Sequence, residues 1–400
     1  MRILHTCNTY WPCADGVSIA MQRISEGLAA AGHDVTVATA YSSVRAGRTE
    51  HAGVQIREFR VNGNDVQGCR GEVEEFTDFA RGFECDVMLN YAAQICTTDL
   101  VFPLLDELSC KKVFVPCGYS ALRDPAYAAY FERLATYLPK YDRAVYLSEH
   151  YQDKRFSDEH GLANAVVIPN GASTSEFGQL RTGFRDAYSI GEKHLFICVA
   201  NLMHLKGQAE VHQAFVRSGV HDAALVFLGS DISRYVSGAM RTAPGPLFEF
   251  RRKANILRYE LFESHLPGRR ERFELASPPG TRTIVLAGVP RELVLAAYHE
   301  ADLFAFASKV ECAPLVIYES MASGTPWVSF PAGNVAELEG GVVVVDVESM
   351  AREMAELSSD ARKRELLGDA GRRAWQDRYT WEIIVQRYEA LYRELVEGAS

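Results

Sequence analysis

A chain of 400 residues exceeds the roughly 250–300 at which one hydrophobic core usually splits, so two domains are expected. Its 42 Lys and Arg against 52 Asp and Glu leave a net charge of -10, which argues against a general nucleic-acid binder, since that function needs a basic face. With 48% apolar and 24% charged residues the composition is that of a soluble globular protein.

The opening "MRILHTCNTYWP" has no long apolar h-region, and no later run approaches the ~18 apolar residues of a membrane span. Nine scattered cysteines without a C-x-x-C pair read as reduced thiols. A cytoplasmic protein is expected, with peripheral contact at the inner membrane face left open.

"RILHTC" reads as a buried strand, and "GVSIAMQRISEGLAAAG" as a helix with Val17, Met21, Ile24 and Leu28 on one face. Asp15 suits its N-cap and Gly32 its C-terminal stop. "DVTVATA", "VQIREFR", "DVMLNYA", "KVFVPCG" and "RAVYLS" follow as strands alternating with helical stretches, which predicts a parallel sheet covered on both faces. "NAVVIPNGASTSEFGQLRTGF" then reads as a linker. The pattern restarts with "HLFICVAN", "AALVFLG", "TIVLAG", "DLFAFA", "PWVSF" and "GVVVVD", apolar runs typical of buried parallel strands. The fold class is therefore α/β, with two doubly wound domains over residues 1–180 and 181–380 and a last helix over 381–400. Ligands are expected at the carboxyl ends of the strands and in a deep cleft between the domains. Residues 231–280, rich in Arg and aromatics, break the alternation. They are expected to form an inserted surface helical hairpin, or else a lid or docking surface for an anionic or membrane partner.

The segment "ADLFAFASKVECAPLVIYESMASGTPWVSF", residues 301–330, carries two carboxylates, Glu311 and Glu319, in apolar surroundings. An unpartnered buried carboxylate costs several kcal/mol, so both need partners or solvent. If "DLFAFA" is a strand and "APLVIYESMASG" a helix, with Pro314 in its first turn and Gly324 at its end, Glu311 lies in the loop at the sheet's carboxyl edge. The free N–H groups of that helix start, at Leu315 and Val316, suit a phosphate. Glu319, about one and a half turns on, suits a vicinal pair of hydroxyls such as a ribose supplies. Two glutamates at this spacing occur roughly once or twice by chance in a chain of this size, so their position, not their spacing, carries the argument.

This segment resembles the Glu-x7-Glu motif of the retaining glycosyltransferases of family 4, which have the GT-B fold of two facing Rossmann-like domains. The resemblance runs along nearly the whole chain, through "YWPCADGVSIAMQRISEGLAAAGHDVTVAT", "VIPNGASTSEF", "VANLMHLKG", "SFPAGNVAELEGGVVVVD" and "RYTWEIIVQRYEALYREL". It implies that Glu319 holds the donor ribose and Glu311 the transferred sugar. Ala313, Pro314 and Leu315 then lie near the donor sugar and diphosphate. Lys206 stands for the family's phosphate-binding lysine, with a solvated surface lysine as the plain alternative. Val289 and Pro290 fall where the backbone meets the nucleobase. Gly16 falls where a glycine lets the first-domain loop approach the phosphate, unless it merely relieves a tight turn. On the acceptor side the resemblance implicates Asp15, Cys117, Gly118 and Tyr119.

The departures concern charge. Asp15-Gly16 replaces a Gly-Gly, Asn201 replaces a commonly present arginine, and Cys117 replaces a first-domain histidine. Cys117 reads as a small packed residue more readily than as a ligand. His204 stands near Lys206 as a partial substitute, whereas His5 and His33 read as structural. No Asp-x-Asp, His-x-His or other metal-ligand pattern stands out, so no metal and no cofactor are expected; Lys206 and helix ends must meet the leaving charge. The resulting expectation is a metal-independent retaining transferase taking a nucleotide-diphosphate sugar, a UDP-sugar slightly favoured. The acceptor stays open between glycan, lipid-linked and small-molecule compounds. A donor-binding partner or regulator that no longer transfers is the alternative, with a GT-B epimerase or phosphorylase as a third.

Overall fold

A computed structural model describes residues 1–229 and 271–398. The chain folds into two compact units, one of residues 1–171 with 379–400, the other of residues 172–378.

The first unit is built on strands β1 (Arg2–Cys7), β2 (Asp34–Ala40), β3 (Glu50–His51) and β4 (Val54–Phe59). A small antiparallel ribbon of β5 (Val61–Asn62) and β6 (Arg70–Gly71) precedes β7 (Val87–Tyr91), β8 (Lys111–Val115), β9 (Arg143–Tyr146) and β10 (Ala165–Val167). The sheet order is β10-β9-β8-β7-β1-β2-β4-β3, parallel apart from the β3–β4 edge. Ile3, Leu4, Val87, Met88, Leu89, Val113 and Phe114 are all fully buried. That is why these strands read as continuous apolar runs: helices cover both faces. Chain order reverses between β1 and β7, so the loops leaving those two strands diverge and open a crevice at the sheet's carboxyl edge.

The helix Gly16–Ala30 starts where Asp15 accepts the Ser18 N–H at 3.0 Å, as its sequence predicts. It buries Met21, Ile24 and Leu28. The last helix, Trp381–Glu397, packs on the same unit. A Cβ on Gly27 would come within 2.5 Å of Val385 Cγ2, so a glycine is what lets the two helices approach so closely. Tyr392 Oη lies 3.1 Å from His5 Nε2, and His5 Nδ1 lies 2.8 Å from Ser25 Oγ. Burial lowers the His5 pKa to about 3, so the ring is neutral and structural, as expected.

The second unit continues with β11 (His194–Val199), β12 (Ala223–Gly229), β13 (Glu271–Leu275), β14 (Thr281–Ala287), β15 (Leu303–Phe306), β16 (Trp327–Ser329) and β17 (Gly341–Val343). Their order is β13-β14-β12-β11-β15-β16-β17, and only β13 runs antiparallel. Chain order reverses between β11 and β15, which makes a second switch point. Most of the segment expected as a helical hairpin, residues 231–270, lies outside the described residues. Its end is not helical: Glu271–Leu275 pairs with β14 as an edge strand, and the side chains of Arg272 and Arg282 both bond Glu274. Residues 172–180, counted with the first half in the sequence, belong to the second unit, where Glu176 pairs with Arg291.

Candidate functional site

The switch point of the second unit brings together the loops after β11 and β15. All four β15 residues are buried, as are Ala307 and Ser308, and the chain emerges at Lys309. There the Ser308 hydroxyl (3.2 Å) and the Lys309 N–H (2.8 Å) both donate to the Leu205 carbonyl, stitching the loop to the single turn His204–Lys206. Gly207 ends that turn at φ +71°, and a Cβ on it would lie 1.9 Å from the Ala307 carbonyl oxygen. Only glycine satisfies both demands. This close seam aligns Lys206 with Glu311: Nζ donates to Oε1 at 2.6 Å, with the side chains 24% and 13% exposed. A charge-assisted contact this short, largely withdrawn from water, is stronger than a surface pair.

The loop beyond Glu311 is held from its other side. Asn334 N–H donates to the Cys312 carbonyl at 2.9 Å, and Asn334 Nδ2 donates to Tyr318 Oη at 2.6 Å. A Cβ on Gly333 would lie 2.3 Å from that carbonyl. The helix Leu315–Ser323 follows, ended by Gly324 at φ +75°. Pro314 is its N-cap, one residue ahead of the first turn expected for it, with φ -69° and ψ 116°. A residue with extended ψ cannot carry the helix, so the first N–H groups belong to Leu315 and Val316. The Pro314 side chain does not cap them.

Glu319 does have a partner, and the sequence did not disclose it. Arg291 Nη2 donates to Glu319 Oε1 at 2.5 Å. The same guanidinium grips Glu176 by Nε to Oε1 at 3.2 Å and Nη2 to Oε2 at 3.0 Å. Burial opposes the charge on Arg291, but the Glu319 and Glu176 carboxylates outweigh it and push its pKa up. Tyr298, from the same helix Arg291–Glu300, donates to the Val316 carbonyl at 3.3 Å; burial first, then Glu319, raises its pKa. The available signal was an arginine at the first residue of a helix, where a positive charge opposes the helix dipole.

Val289 and Pro290 follow β14 after Gly288, and Pro290 is the N-cap of the helix that Arg291 begins. Ala313 and Pro314 are buried, and Leu315 is half-buried. Asn201 is exposed, and its carbonyl accepts from Gln208 Nε2 at 2.9 Å. His204 Nε2 lies 3.3 Å from Lys309 Nζ. The expected residues of this unit thus come from the loops and helix starts at one edge of one sheet.

In the first unit, Asp15 accepts from Thr9 Oγ1 at 3.2 Å besides capping its helix. A Cβ on Gly16 would meet nothing within 4 Å, and its φ lies outside the left-handed range, so the fold itself does not demand glycine there. Cys117 is half-buried at φ +55°, an unusual conformation for a residue with a Cβ. Gly118 follows at φ +84° and donates its N–H to Asp153 Oδ2 at 2.9 Å. The expectation for Tyr119 needs correcting. Its side chain is 0% exposed, edge-on to Phe131 and Phe156, so its ring belongs to the core and not to a binding surface. Sequence analysis missed Ala92 at φ +74° and Gln94 at φ +62°, in the loop leaving β7.

Residues 182–374 match the family model described as glycosyl transferases group 1. Over 252 residues the chain is 26% identical to a GDP-mannose-dependent alpha-(1-6)-phosphatidylinositol monomannoside mannosyltransferase of Mycolicibacterium smegmatis. That match takes in 58% of this chain and 57% of the relative, little more than half of each. Sucrose-phosphate synthase from Thermosynechococcus elongatus superimposes over 100% of both chains with a TM-score of 0.74 at 19% identity. Anabaena HepE, solved with UDP and glucose, superimposes over 98% of this chain and 99% of its own with a TM-score of 0.67 at 14% identity. At such identities the likeness is one of fold.

Proposed function

We propose that the chain, whose residues 182–374 match the glycosyl transferases group 1 model and whose fold superimposes on sucrose-phosphate synthase, transfers a sugar from a nucleotide-diphosphate sugar with retention at the anomeric carbon. The observation that carries this is the pairing of both carboxylates at one sheet edge with a cation, Lys206 with Glu311 and Arg291 with Glu319.

A departing nucleoside diphosphate needs positive charge where its own charge grows. Lys206 supplies it, drawn toward the diphosphate as sugar hydroxyls take its place on Glu311. The N–H groups of Leu315 and Val316 add the helix-end contribution, ~0.3–1 kcal/mol at an exposed site and ~2 where partly buried. Glu319 accepts from the ribose hydroxyls, and Val289 and Pro290 flank the base. The leaving diphosphate takes the acceptor's proton on the same face, so no protein nucleophile takes part. The reaction needs no metal, which predicts full activity after chelator treatment.

The mycobacterial relative's name makes GDP-mannose the first donor to try, ahead of the UDP-sugar expected from sequence. It also makes a lipid-linked acceptor the first of the three acceptor classes to try. Among the described residues no helix is long and apolar enough to cross a membrane.

Thermal unfolding with saturating GDP, UDP, ADP or TDP tests the reading. A nucleotide at about 100-fold its Kd stabilises by ~2.7 kcal/mol. The expected result is a raised Tm with one nucleotide, abolished by Glu319→Ala. No shift with any of the four would overturn the donor site.

A further inference from the structure

We infer that Arg291, braced by Glu176, is a positioning residue that sets the Glu319 carboxylate for a vicinal diol and so makes the site selective for a ribonucleotide. The inference rests on the donor site proposed above and adds two residues to it.

Arg291 opens the helix Arg291–Glu300, and a cation at a helix start is disfavoured by the local dipole. Two carboxylates from distant parts of the chain nevertheless converge on it, Glu176 through a two-point fork and Glu319 through one bond. The fork fixes the plane of the guanidinium, because two parallel contacts leave it little freedom to rotate. Phe177, next to Glu176, lies under the same group, 5.8 Å from its ring centre to the guanidinium carbon. A guanidinium so held presents Nη2 to Glu319 Oε1 in one direction and orients that carboxylate.

An ionised carboxylate offers about four acceptor positions, so one bond to Arg291 leaves capacity for two hydroxyls. Their arrival does not strand Arg291, whose charge stays matched by Glu176. Without Arg291, Glu319 would face Glu176 with no cation between them, and like-charge repulsion would turn the carboxylate away or protonate it. Glu176 thus acts on the ligand only through Arg291.

Discrimination between ribose and deoxyribose reads this out directly. Dissociation constants for GDP and 2′-deoxy-GDP, and for UDP and 2′-deoxy-UDP, would be measured on wild type, Arg291→Met, Arg291→Lys and Glu176→Gln. Wild type is expected to favour the ribonucleotide by at least about tenfold, the worth of one charge-assisted hydrogen bond. Arg291→Met and Glu176→Gln should bring that ratio to within about threefold of unity, and Arg291→Lys should restore part of it. Wild-type discrimination kept by Arg291→Met overturns the inference and leaves the donor site standing. Should that variant not fold, full discrimination in both Glu176→Gln and Arg291→Lys overturns it equally. Wild type that binds none of GDP, UDP, ADP or TDP, or that binds ribonucleotide and 2′-deoxyribonucleotide equally, removes the diol site itself, and the inference with it.

Discussion

The two units solve one geometric problem, a loop leaving the carboxyl end of a buried strand, in opposite ways. Among the described residues of the second unit, the left-handed positions at these ends are glycines, Gly207, Gly288 and Gly333, and the carboxylates Glu311 and Glu319 are matched by Lys206 and Arg291. In the first unit Ala92, Gln94 and Cys117 take up left-handed φ after β7 and β8. The carboxylate nearby, Asp99, has neutral partners: the Tyr130 hydroxyl at 2.9 Å and the Asp65 N–H at 2.9 Å. A left-handed residue with a Cβ costs of order 1–3 kcal/mol, a cost retained where side chain or geometry matters more than stability. The second unit thus matches carboxylates with cations at these strand ends, and the first matches Asp99 with neutral donors beside left-handed backbone.

The largest effect should come from removing the charge. Lys206→Ala is expected to lower turnover by about 10²–10³-fold, the scale for losing one donor to developing negative charge. Nucleotide release from the donor sugar measures it, and a loss below about fivefold would return Lys206 to the surface-lysine reading.

Next is the seam. Gly207→Ala must combine a left-handed alanine with a clash against the Ala307 carbonyl. A loss of about 3 kcal/mol or more is expected in denaturant unfolding, beyond the usual range for single substitutions.

Asp99 should reveal the neutral side through pH. Burial first, against the hydrogen bonds of the Asp65 N–H and Tyr130, raises its pKa to about 6, above an ordinary 3.8. The folded state therefore binds the proton more tightly than the unfolded one, and this contribution is full below about pH 4 and lost as pH rises through about 6. Asp99→Asn should flatten the stability profile across that window by about 1–3 kcal/mol. An unchanged profile would mean that Asp99 is ionised throughout.

The smallest effect concerns strain. Gln94→Gly should leave stability unchanged or raise it by up to about 1 kcal/mol while weakening transfer to the acceptor. Ordinary destabilisation with full transfer would mean that the left-handed backbone at Gln94 has no part in transfer.

Much of this was legible in sequence because it is written locally. Uninterrupted apolar runs such as "HLFICVAN" and "DLFAFA" mark strands buried on both faces, and Gly324 marks a helix end by its own backbone freedom. Glu311, Lys206 and Glu319 stood out through a family resemblance, and the structure joins the first two. What escaped is non-local. Glu176 is 115 residues from Arg291 in the chain, and no periodicity links them. The strained residues escaped for another reason: Ala92 and Gln94 are residue types that do not ask for φ > 0, so only their neighbours impose it. Tyr119 was misjudged because its flanking residues do lie in a loop, while its ring points the other way, into the core.

The return of the last helix to the first unit makes the second, topologically, a passenger inserted into its host. The host's two ends nearly touch, since a Cβ on Gly171 would stand 2.5 Å from the Tyr379 carbonyl oxygen. During synthesis the host sheet emerges first but lacks its closing helix until the whole passenger has been made. Met21 and Leu28 lie on the host helix whose neighbour arrives last. The passenger is one unbroken stretch of chain and can fold meanwhile, so the natural order of completion is second unit first.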